Sequence, residues 1–169
     1  PSTIQLLDTG SEEQALNYRH DDHDIVLEFI SSDFIQINSE VNKLMVSKAI
    51  ELLCINKSDT VTDLFCGIGN FSLPLSRYAK NVIGVELQED FIKRAKCNAK
   101  LNNINNIEFF TGDLFKSDNN WSNLKCNKLL LDPARSGALE VVSNIELFNA
   151  KKIVYVSCHP GTLARDTDI

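Results

Sequence analysis

The chain has 169 residues, of which 43% are hydrophobic and 24% are charged, a composition typical of one globular domain with a buried core. Its formal net charge of -6 argues against strong nucleic-acid binding by this chain alone, because phosphate binding uses clustered Lys and Arg side chains. No apolar run approaches the roughly 20 residues that cross a bilayer, and no signal peptide is recognisable, so we expect a cytoplasmic protein without a membrane segment.

The first part of the chain predicts a β-hairpin. Residues 15–19 and 25–30 flank the charged stretch HDDHD at 20–24, which we interpret as a solvent-exposed turn because it has no recognisable metal-ligand spacing. We assign residues 1–33 to an N-terminal segment that carries this hairpin and residues 34–169 to the domain that follows.

From residue 34 onward, helical and strand patterns alternate. Apolar side chains at helical spacing predict helices over 40–53 and 89–102, with a short helix between them that ends at about residue 78. Short apolar strands are predicted at 61–64, 81–85, 107–111, 129–131 and 153–156. This alternation predicts an α/β fold, a doubly wound Rossmann-like sheet, mostly parallel, with helices on both faces. The polar residues 116–127 are interpreted as a loop that holds Trp121 against the domain.

Candidate ligand-binding residues follow the strand ends, where ligands bind in open α/β sheets. Gly67 and Gly69, after the first strand of the sheet, permit a tight turn and a close approach of a ligand to the backbone. Glu86, after the second strand, can accept hydrogen bonds from the hydroxyls of a ribose. Asp113, after the third strand, can accept from an adenine amino group, although a loop or capping role is an equal alternative.

The glycine pattern favours one class of nucleotide ligand over another. The dinucleotide fingerprint has a third glycine three positions after Gly69. This chain has Ser72 there instead, with the bulky Phe71 before it. A pyrophosphate would also need an unobstructed helix N-terminus. We therefore expect a ligand with a ribose but no phosphate, such as S-adenosylmethionine, rather than NAD.

Three segments resemble the bacterial RNA (uracil-5-)-methyltransferases. They are DLFCGIGNF at 63–71, LDPARSG at 131–137 and VSCHPGTLARD at 156–166, each at a predicted strand end. The second and third segments are most similar to the 23S ribosomal RNA branch of this family, and the tRNA branch is the alternative. The resemblance extends from about residue 34 to the end of the chain.

The resemblance implies methyl transfer from S-adenosylmethionine to C5 of a uracil in RNA, with Cys158 as the nucleophile that adds to C6. It implies that Asp132 accepts from N3–H of the extruded base and that Arg135 donates to a uracil carbonyl. The positions expected to contact the cofactor, which include the two glycines of the turn, are Gln36, Phe65, Gly67, Gly69, Asn70, Glu86, Asp113 and Asp132.

The five cysteines include no C-x-x-C pair, which indicates reduced thiols and no metal site. A single cysteine at a strand end is more often inert packing, and only the family resemblance favours Cys158 as a nucleophile. Cys66 is its one rival, in the cofactor turn, where the family also carries a cysteine that is not the nucleophile. His159 is interpreted as a bystander, because family members commonly carry Asn there.

Some parts that the family uses are not in this sequence. They are a glutamate general base in a later FPxTxHxE segment, an N-terminal RNA-binding barrel, and the cysteines that hold an iron–sulfur centre in some members. We therefore interpret the chain as an inactive piece of a longer enzyme, with two further strands of the sheet beyond residue 169. The strand at 153–156 should then have an unpaired apolar edge, through which we expect self-association.

Two other function classes stay open. An NAD-dependent oxidoreductase would use the same sheet and the same Glu86, but no residue is recognisable as a hydride-transfer acid. A non-catalytic RNA-binding module would need a basic face, which the acidic composition does not favour.

Overall fold

A computed structural model describes residues 16–116 and 120–169, apart from the side chains of residues 120 and 122. Residues 1–15, with the predicted start of the hairpin at residue 15, lie outside the described part. The hairpin itself is confirmed, because β1 (Leu16–His20) pairs antiparallel with β2 (Ile25–Phe29). A 3-10 turn over Asp21–His23 joins the two strands.

The domain that follows alternates helices and strands. Helix α1 (Ser39–Leu53) is capped at its N-terminus by Asn38, whose side chain accepts a hydrogen bond from the Val41 N–H. The remaining elements are β3 (Thr60–Leu64), α2 (Ser72–Ser76), β4 (Asn81–Glu86), α3 (Glu89–Leu101), β5 (Ile107–Thr111), β6 (Lys128–Leu131), α4 (Leu139–Ser143), β7 (Lys152–Tyr155) and α5 (Pro160–Thr167).

The predicted doubly wound sheet is confirmed. Its strand order is β5-β4-β3-β6-β7, and all four neighbouring pairs are parallel. The winding reverses between β3 and β6, so the loops after these two strands leave the sheet in opposite directions and open a crevice at its carboxyl edge. In the described part of the chain, β5 and β7 are the edge strands.

The short helix α2, which follows the glycine turn after β3, is the element whose length differs most from the prediction. It ends at Ser76 and not near residue 78. After it, the Arg77 and Tyr78 N–H groups donate to the carbonyls of Pro74 and Leu75, so the chain tightens into i to i+3 turns. The predicted loop at 116–127 contains a 3-10 turn over Asn120–Asn123.

Trp121 is held against the domain, as expected. Its side chain is buried and its ring stacks on Phe148 with centroids 5.7 Å apart. The indole Nε1–H donates to the carbonyls of Asp113 and Lys116, both at 3.0 Å. These bonds fix the path of the chain directly after β5, at the edge of the crevice.

The hairpin packs on α3 and shares the core of the sheet. Ile25 and Leu27 of β2 are fully buried in the cluster that contains the inner face of α3. Asn98 of α3 and Asn102, which directly follows this helix, exchange hydrogen bonds with the backbone of Glu28 and Val26 respectively, at 2.6 to 3.1 Å. These amides take the place of a third strand, so the outer edge of β2 is satisfied.

Candidate functional site

A cavity of about 680 Å³ occupies the crevice at the carboxyl ends of the strands. Its size lies within the range of small-molecule sites. Most of the predicted site residues line it together: Gln36, Phe65, Gly67, Asn70, Glu86, Asp132, Arg135 and Cys158. Gly69 and Asp113 are not among its lining residues.

The loop after β3 forms one wall of the cavity through an unusual backbone path. Phe65, Gly67 and Gly69 all have positive φ, at 66°, 54° and 98°. A Cβ added to Gly67 would meet no atom within 4 Å, so this part of the cavity floor is free of side chains and a ligand can approach the backbone. A Cβ on Gly69 would lie 2.0 Å from Cδ1 of Leu73. Glycine is therefore favoured at this position by its φ of 98°, and a Cβ there would also displace the Leu73 side chain of α2.

Glu86, at the end of β4, has a carboxylate that the backbone holds in place. Its Oε2 accepts from the Gly67 N–H at 3.2 Å, and its Oε1 accepts from the N–H groups of Leu87 and Gln88 at 2.8 and 3.1 Å. A carboxylate has about four lone-pair sites, and three are used here. The remaining capacity suits one hydroxyl donor from a ligand, presented by a side chain that is already ordered.

Asn70 is committed to protein contacts. Its Oδ1 lies 2.9 to 3.0 Å from the Tyr18 hydroxyl, Nε2 of His20 and Nδ2 of Asn42, and its own Nδ2 donates to Oδ1 of Asn42 at 2.9 Å. These bonds connect the loop after β3 to β1 and α1. The predicted cofactor contact through Asn70 has to share a side chain whose polar atoms already have partners.

Asp113 follows β5 but points its carboxylate at its own loop. The carboxylate accepts from the Phe115 N–H at 3.0 Å and pairs with Nζ of Lys116 at 2.9 Å, and the hydrogen bond from Lys116 lowers the pKa of Asp113. Its neighbours Leu114 and Phe115 do line the cavity. The Phe115 ring contacts the Phe65 ring with centroids 5.7 Å apart, which makes an apolar wall suited to a planar ring.

Apolar side chains close to strand ends also line the cavity, and they were not predicted from the sequence. Leu87 comes after Glu86, and Leu114 and Phe115 come after Asp113, and all three line the cavity. Their position next to a predicted polar contact was a usable signal, because a strand end that presents one side chain to a cavity also presents its neighbours.

Gln36 lies in the segment between the hairpin and α1. Just before it, the Asp33 carboxylate accepts from the Ile30 N–H at 2.8 Å and pairs with Arg94 of α3 at 2.6 Å. This ion pair anchors the segment, so Gln36 and the exposed Phe34 are held at the mouth of the cavity.

Asp132, directly after β6, has a partly buried carboxylate, and no hydrogen bond or ion pair from the described residues offsets the cost of its burial. Burial alone raises the pKa of Asp132 to about 6. Asp132 does not cap the next helix, since α4 begins after Ala138. An isolated acid in a cavity of this kind is typical of a binding or catalytic site.

Two other ionisable residues, Asp63 and Arg135, belong to the same part of the structure as Asp132. Beneath it, Asp63 is fully buried and accepts from the Ser72 hydroxyl, and burial raises the pKa of Asp63 to about 8. Arg135 is exposed at the cavity, and none of the ion pairs between described residues involves it. Its guanidinium is therefore available to a ligand.

Cys158 reaches the same cavity from the neighbouring strand. β6 and β7 are paired up to Leu131 and Tyr155, and the Val156 N–H donates to the Leu131 carbonyl at 2.7 Å. The loops that carry Asp132 and Cys158 therefore start side by side. Cys158 is a free, exposed thiol.

The other cavity cysteine, Cys66, differs from Cys158 in its surroundings. Cys66 is buried, and burial raises the pKa of its thiol well above the usual range. A buried neutral thiol is a poor nucleophile. Cys54, Cys97 and Cys126 do not line the cavity.

His159 serves as the N-cap of α5. Its Nδ1 accepts from the Thr162 N–H at 3.2 Å. Asn is among the best N-cap residues, so a cap accounts for both the His found here and the Asn of the resembling family.

Neither a metal centre nor a membrane helix is found in the part of the chain that the structure describes. No group of three or more His, Cys, Asp or Glu side chains in that part could hold a metal ion. No helix there has the length and apolar character needed to cross a bilayer.

Comparison with known proteins gives consistent matches. A family model described as tRNA (Uracil-5-)-methyltransferase matches residues 6–168. The 23S rRNA (uracil(1939)-C(5))-methyltransferase RlmD of Vesicomyosocius okutanii is 49% identical over 159 residues, which are 92% of this chain and 36% of that protein. The protein of the same name from Francisella tularensis subsp. novicida is 54% identical over 144 residues, 83% of this chain and 32% of that protein. The chain thus spans about a third of the length of these relatives.

Solved structures share the fold. The tRNA (uracil-54, C5)-methyltransferase of Pyrococcus abyssi, in complex with S-adenosyl-L-homocysteine, superposes with a TM-score of 0.80 at 26% identity. The superposition covers 99% of this chain and 42% of that chain.

Proposed function

The chain belongs to the tRNA (uracil-5-)-methyltransferase family, and we propose that it is the cofactor-binding and nucleophile-bearing part of an enzyme that methylates C5 of a uridine in RNA. The two relatives described above are named for 23S rRNA, which supports ribosomal RNA rather than tRNA as the substrate. Apart from Tyr18, every residue of the cavity lies within 34–169, the part proposed as the methyltransferase domain.

The observation that carries this proposal is the division of the cavity into two halves. The loops after β3, β4 and β5 supply an open backbone at Gly67, an ordered carboxylate at Glu86 and an aromatic wall. The loops after β6 and β7 supply an isolated acid at Asp132 and an exposed thiol at Cys158. A nucleoside fits the first half, and a small polar ring open to attack by a thiolate fits the second.

S-adenosylmethionine is the cofactor that fits the first half, and when bound it supplies an electrophilic methyl group. Glu86 would accept from a ribose hydroxyl, and Phe65 and Phe115 would contact the adenine. Gly67 would let the ligand approach the backbone. The solved relative's complex with S-adenosyl-L-homocysteine supports this choice over NAD.

The second half supports covalent activation of uracil. The Cys158 thiolate forms a bond from Sγ to C6, and the electrons of the C5–C6 double bond move toward O4, which leaves C5 nucleophilic. Arg135 donates to the carbonyl that gains negative charge, and Asp132, as a carboxylate, accepts from N3–H. After methylation a base must remove the C5 proton, so that the C5–C6 double bond re-forms and the Sγ–C6 bond breaks. That base is expected outside this chain.

We extend the proposal to an iron–sulfur centre, of the kind that some family members carry, in a part of the protein outside this chain. The described residues contain no group of side chains that could bind one.

The test uses the full-length protein and an RNA that contains 5-fluorouridine at the target position. Fluorine at C5 cannot leave as a proton, so the Cys158 adduct should accumulate and migrate as a protein–RNA band on a denaturing gel. Cys158→Ala should abolish this band and keep S-adenosylmethionine binding. Cys66→Ala is the matched control within the same cavity and should keep the band. A band that persists in Cys158→Ala and disappears in Cys66→Ala would show that the wrong thiol was chosen.

A further inference from the structure

Side chains on one face of α5 form hydrogen bonds with the backbone of the loop that follows β6. Thr162, Arg165 and Asp166 are spaced by three and four residues, so they lie on the same side of the helix. Thr162 Oγ1 donates to the Arg135 carbonyl at 3.1 Å, and Arg165 Nη2 donates to the Ser136 carbonyl at 2.9 Å. The next contact along the loop is to Asp166, whose Oδ2 accepts from the Ala138 N–H at 2.7 Å.

Asp166 also connects this contact to the end of β7. Its Oδ2 accepts from the Tyr155 hydroxyl at 2.6 Å, and Tyr155 is the last residue of the strand that leads to Cys158. Burial by itself would raise the pKa of Asp166, but the hydrogen bonds from Tyr155, Ala138 and Arg165 outweigh it, and the pKa lies below the usual range. The carboxylate thus stays charged while fully buried.

The loop approaches α5 too closely for any residue but glycine at position 137. Gly137 has a φ of 78°, and a Cβ there would lie 2.5 Å from Oδ2 of Asp166 and 2.6 Å from Nη2 of Arg165. The backbone of the loop therefore lies directly against the polar face of the helix.

The β6–β7 ladder does not extend to the groups that would react. Its last pair is Leu131 with Tyr155, followed by the bond from the Val156 N–H to Leu131. Asp132 and Arg135 on one side, and Cys158 on the other, lie beyond that point. Their separation has to be fixed by other contacts, and the face of α5 supplies them immediately after the Cys158 turn.

We propose that Thr162, Arg165 and Asp166 form a positioning clamp that sets the distance between the Cys158 thiol and the Asp132–Arg135 loop. This inference rests on the proposed function, since it concerns the two groups that would meet one uracil. None of the three side chains lines the cavity, so they act through the backbone they hold. A displacement of about 1 Å between a nucleophile and its target can lower a rate about 100-fold.

The experiment measures adduct formation in single turnover, with full-length protein, saturating S-adenosylmethionine and saturating 5-fluorouridine RNA. Asp166→Ala should lower the first-order rate constant about 100-fold, because the loop can then shift relative to Cys158. The affinity for S-adenosylmethionine and the RNA concentration at half-saturation should change little, because Glu86 and Gly67 are untouched.

A conservative variant separates positioning from the loss of a charge. Asp166→Asn keeps an oxygen that can accept from both the Ala138 N–H and the Tyr155 hydroxyl, but it places an amide NH2 where Oδ1 accepts from Arg165, so it should recover part of the rate. Thr162→Val tests the clamp where Asp166→Ala fails to fold. It has the same shape without the bond to the Arg135 carbonyl and should lower the same rate constant, by a smaller factor.

Asn106→Ala is the matched control. Asn106 also ties a loop together, through bonds to the carbonyls of Ser76, Ala79 and Lys80, but away from the cavity. If Asp166→Ala and Thr162→Val, corrected for the folded fraction, react as fast as Asn106→Ala and the wild type, the residues only stabilise the fold and the clamp is refuted. If the wild type itself forms neither adduct nor methylated RNA, the proposed function fails first and the clamp has no reaction to serve.

Discussion

Replacement of Asp132 by asparagine should stabilise the folded protein and at the same time impair its reaction. Burial raises the pKa of Asp132 from 3.8 to about 6. Because the folded-state pKa lies above the unfolded value, the favourable contribution of the protonated acid is fully present below pH 3.8 and is lost as the pH rises through about 6. At neutral pH the ionised carboxylate therefore destabilises the fold relative to a neutral group of the same shape.

The size of this effect follows from the shift in pKa. A shift of about two units, at 1.36 kcal/mol per unit, gives a ceiling of about 3 kcal/mol, and solvent at the cavity mouth lowers it to about 1–2 kcal/mol. Urea unfolding at pH 7.5 should show Asp132→Asn to be more stable than the wild type by about this amount, and the difference should vanish near pH 4.

The same substitution should slow methyl transfer. A hydrogen bond to a charged group contributes about 1.5–3 kcal/mol, so the loss of the carboxylate proposed to accept from N3–H should lower kcat/KM about 10- to 100-fold. In the wild type, kcat/KM should rise with pH through about 6 as Asp132 ionises, and this limb should be absent in the variant. An Asp132→Asn protein that is less stable at pH 7.5, or that keeps the acid limb, would refute the reasoning that Asp132 is a desolvated acid used by the substrate.

Two further predictions concern the cofactor and the sheet edge. Glu86→Ala should weaken S-adenosylmethionine binding by about 1–3 kcal/mol in calorimetry, and tight NAD binding without S-adenosylmethionine binding would contradict the reading of the first half of the cavity. β7 is an edge strand of the described sheet and Ile153 on it is 41% exposed, so the chain should self-associate. Ile153→Lys should shift its sedimentation toward the monomer, and a wild-type chain that is monomeric at high concentration would contradict this.

Much of the architecture could be predicted from the sequence, because the signals for it are local. Short apolar strands and the helical spacing of α1 and α3 are set by residues a few positions apart, and the observed bounds differ from the predicted ones by a residue or two. The position of the site followed from the rule that strand ends share one edge of a parallel sheet.

What the sequence did not show depends on contacts between distant positions. The bonds that occupy Asn70 come from residues 28 to 52 positions away, and those between α5 and the Arg135 loop span 27 to 29 positions. No periodicity reports such contacts. Asp113 is a different case, because its pairing with Lys116 three residues later is local and could have been expected.

The assignment of Asn70 can be decided by a variant of its partner. If Asn70 acts mainly as a tie between the loop after β3 and the hairpin, Asn42→Ala should weaken S-adenosylmethionine binding as much as Asn70→Ala does. Asn42 is buried and does not line the cavity, so it has no direct route to a ligand. Each change leaves buried polar partners without a bond, and each should destabilise the fold by about 1–3 kcal/mol.

Calorimetry and thermal unfolding of both variants give the comparison. Equal losses of affinity mean that Asn70 orders the loop and that its family-inferred cofactor contact is secondary. A loss confined to Asn70→Ala, with equal destabilisation in both proteins, would instead mean that Asn70 contacts the cofactor while keeping its bonds to Tyr18 and Asn42. With a loss confined to Asn70→Ala, the hairpin only lies next to the site. With equal losses, the hairpin helps to hold the loop after β3 in its binding conformation.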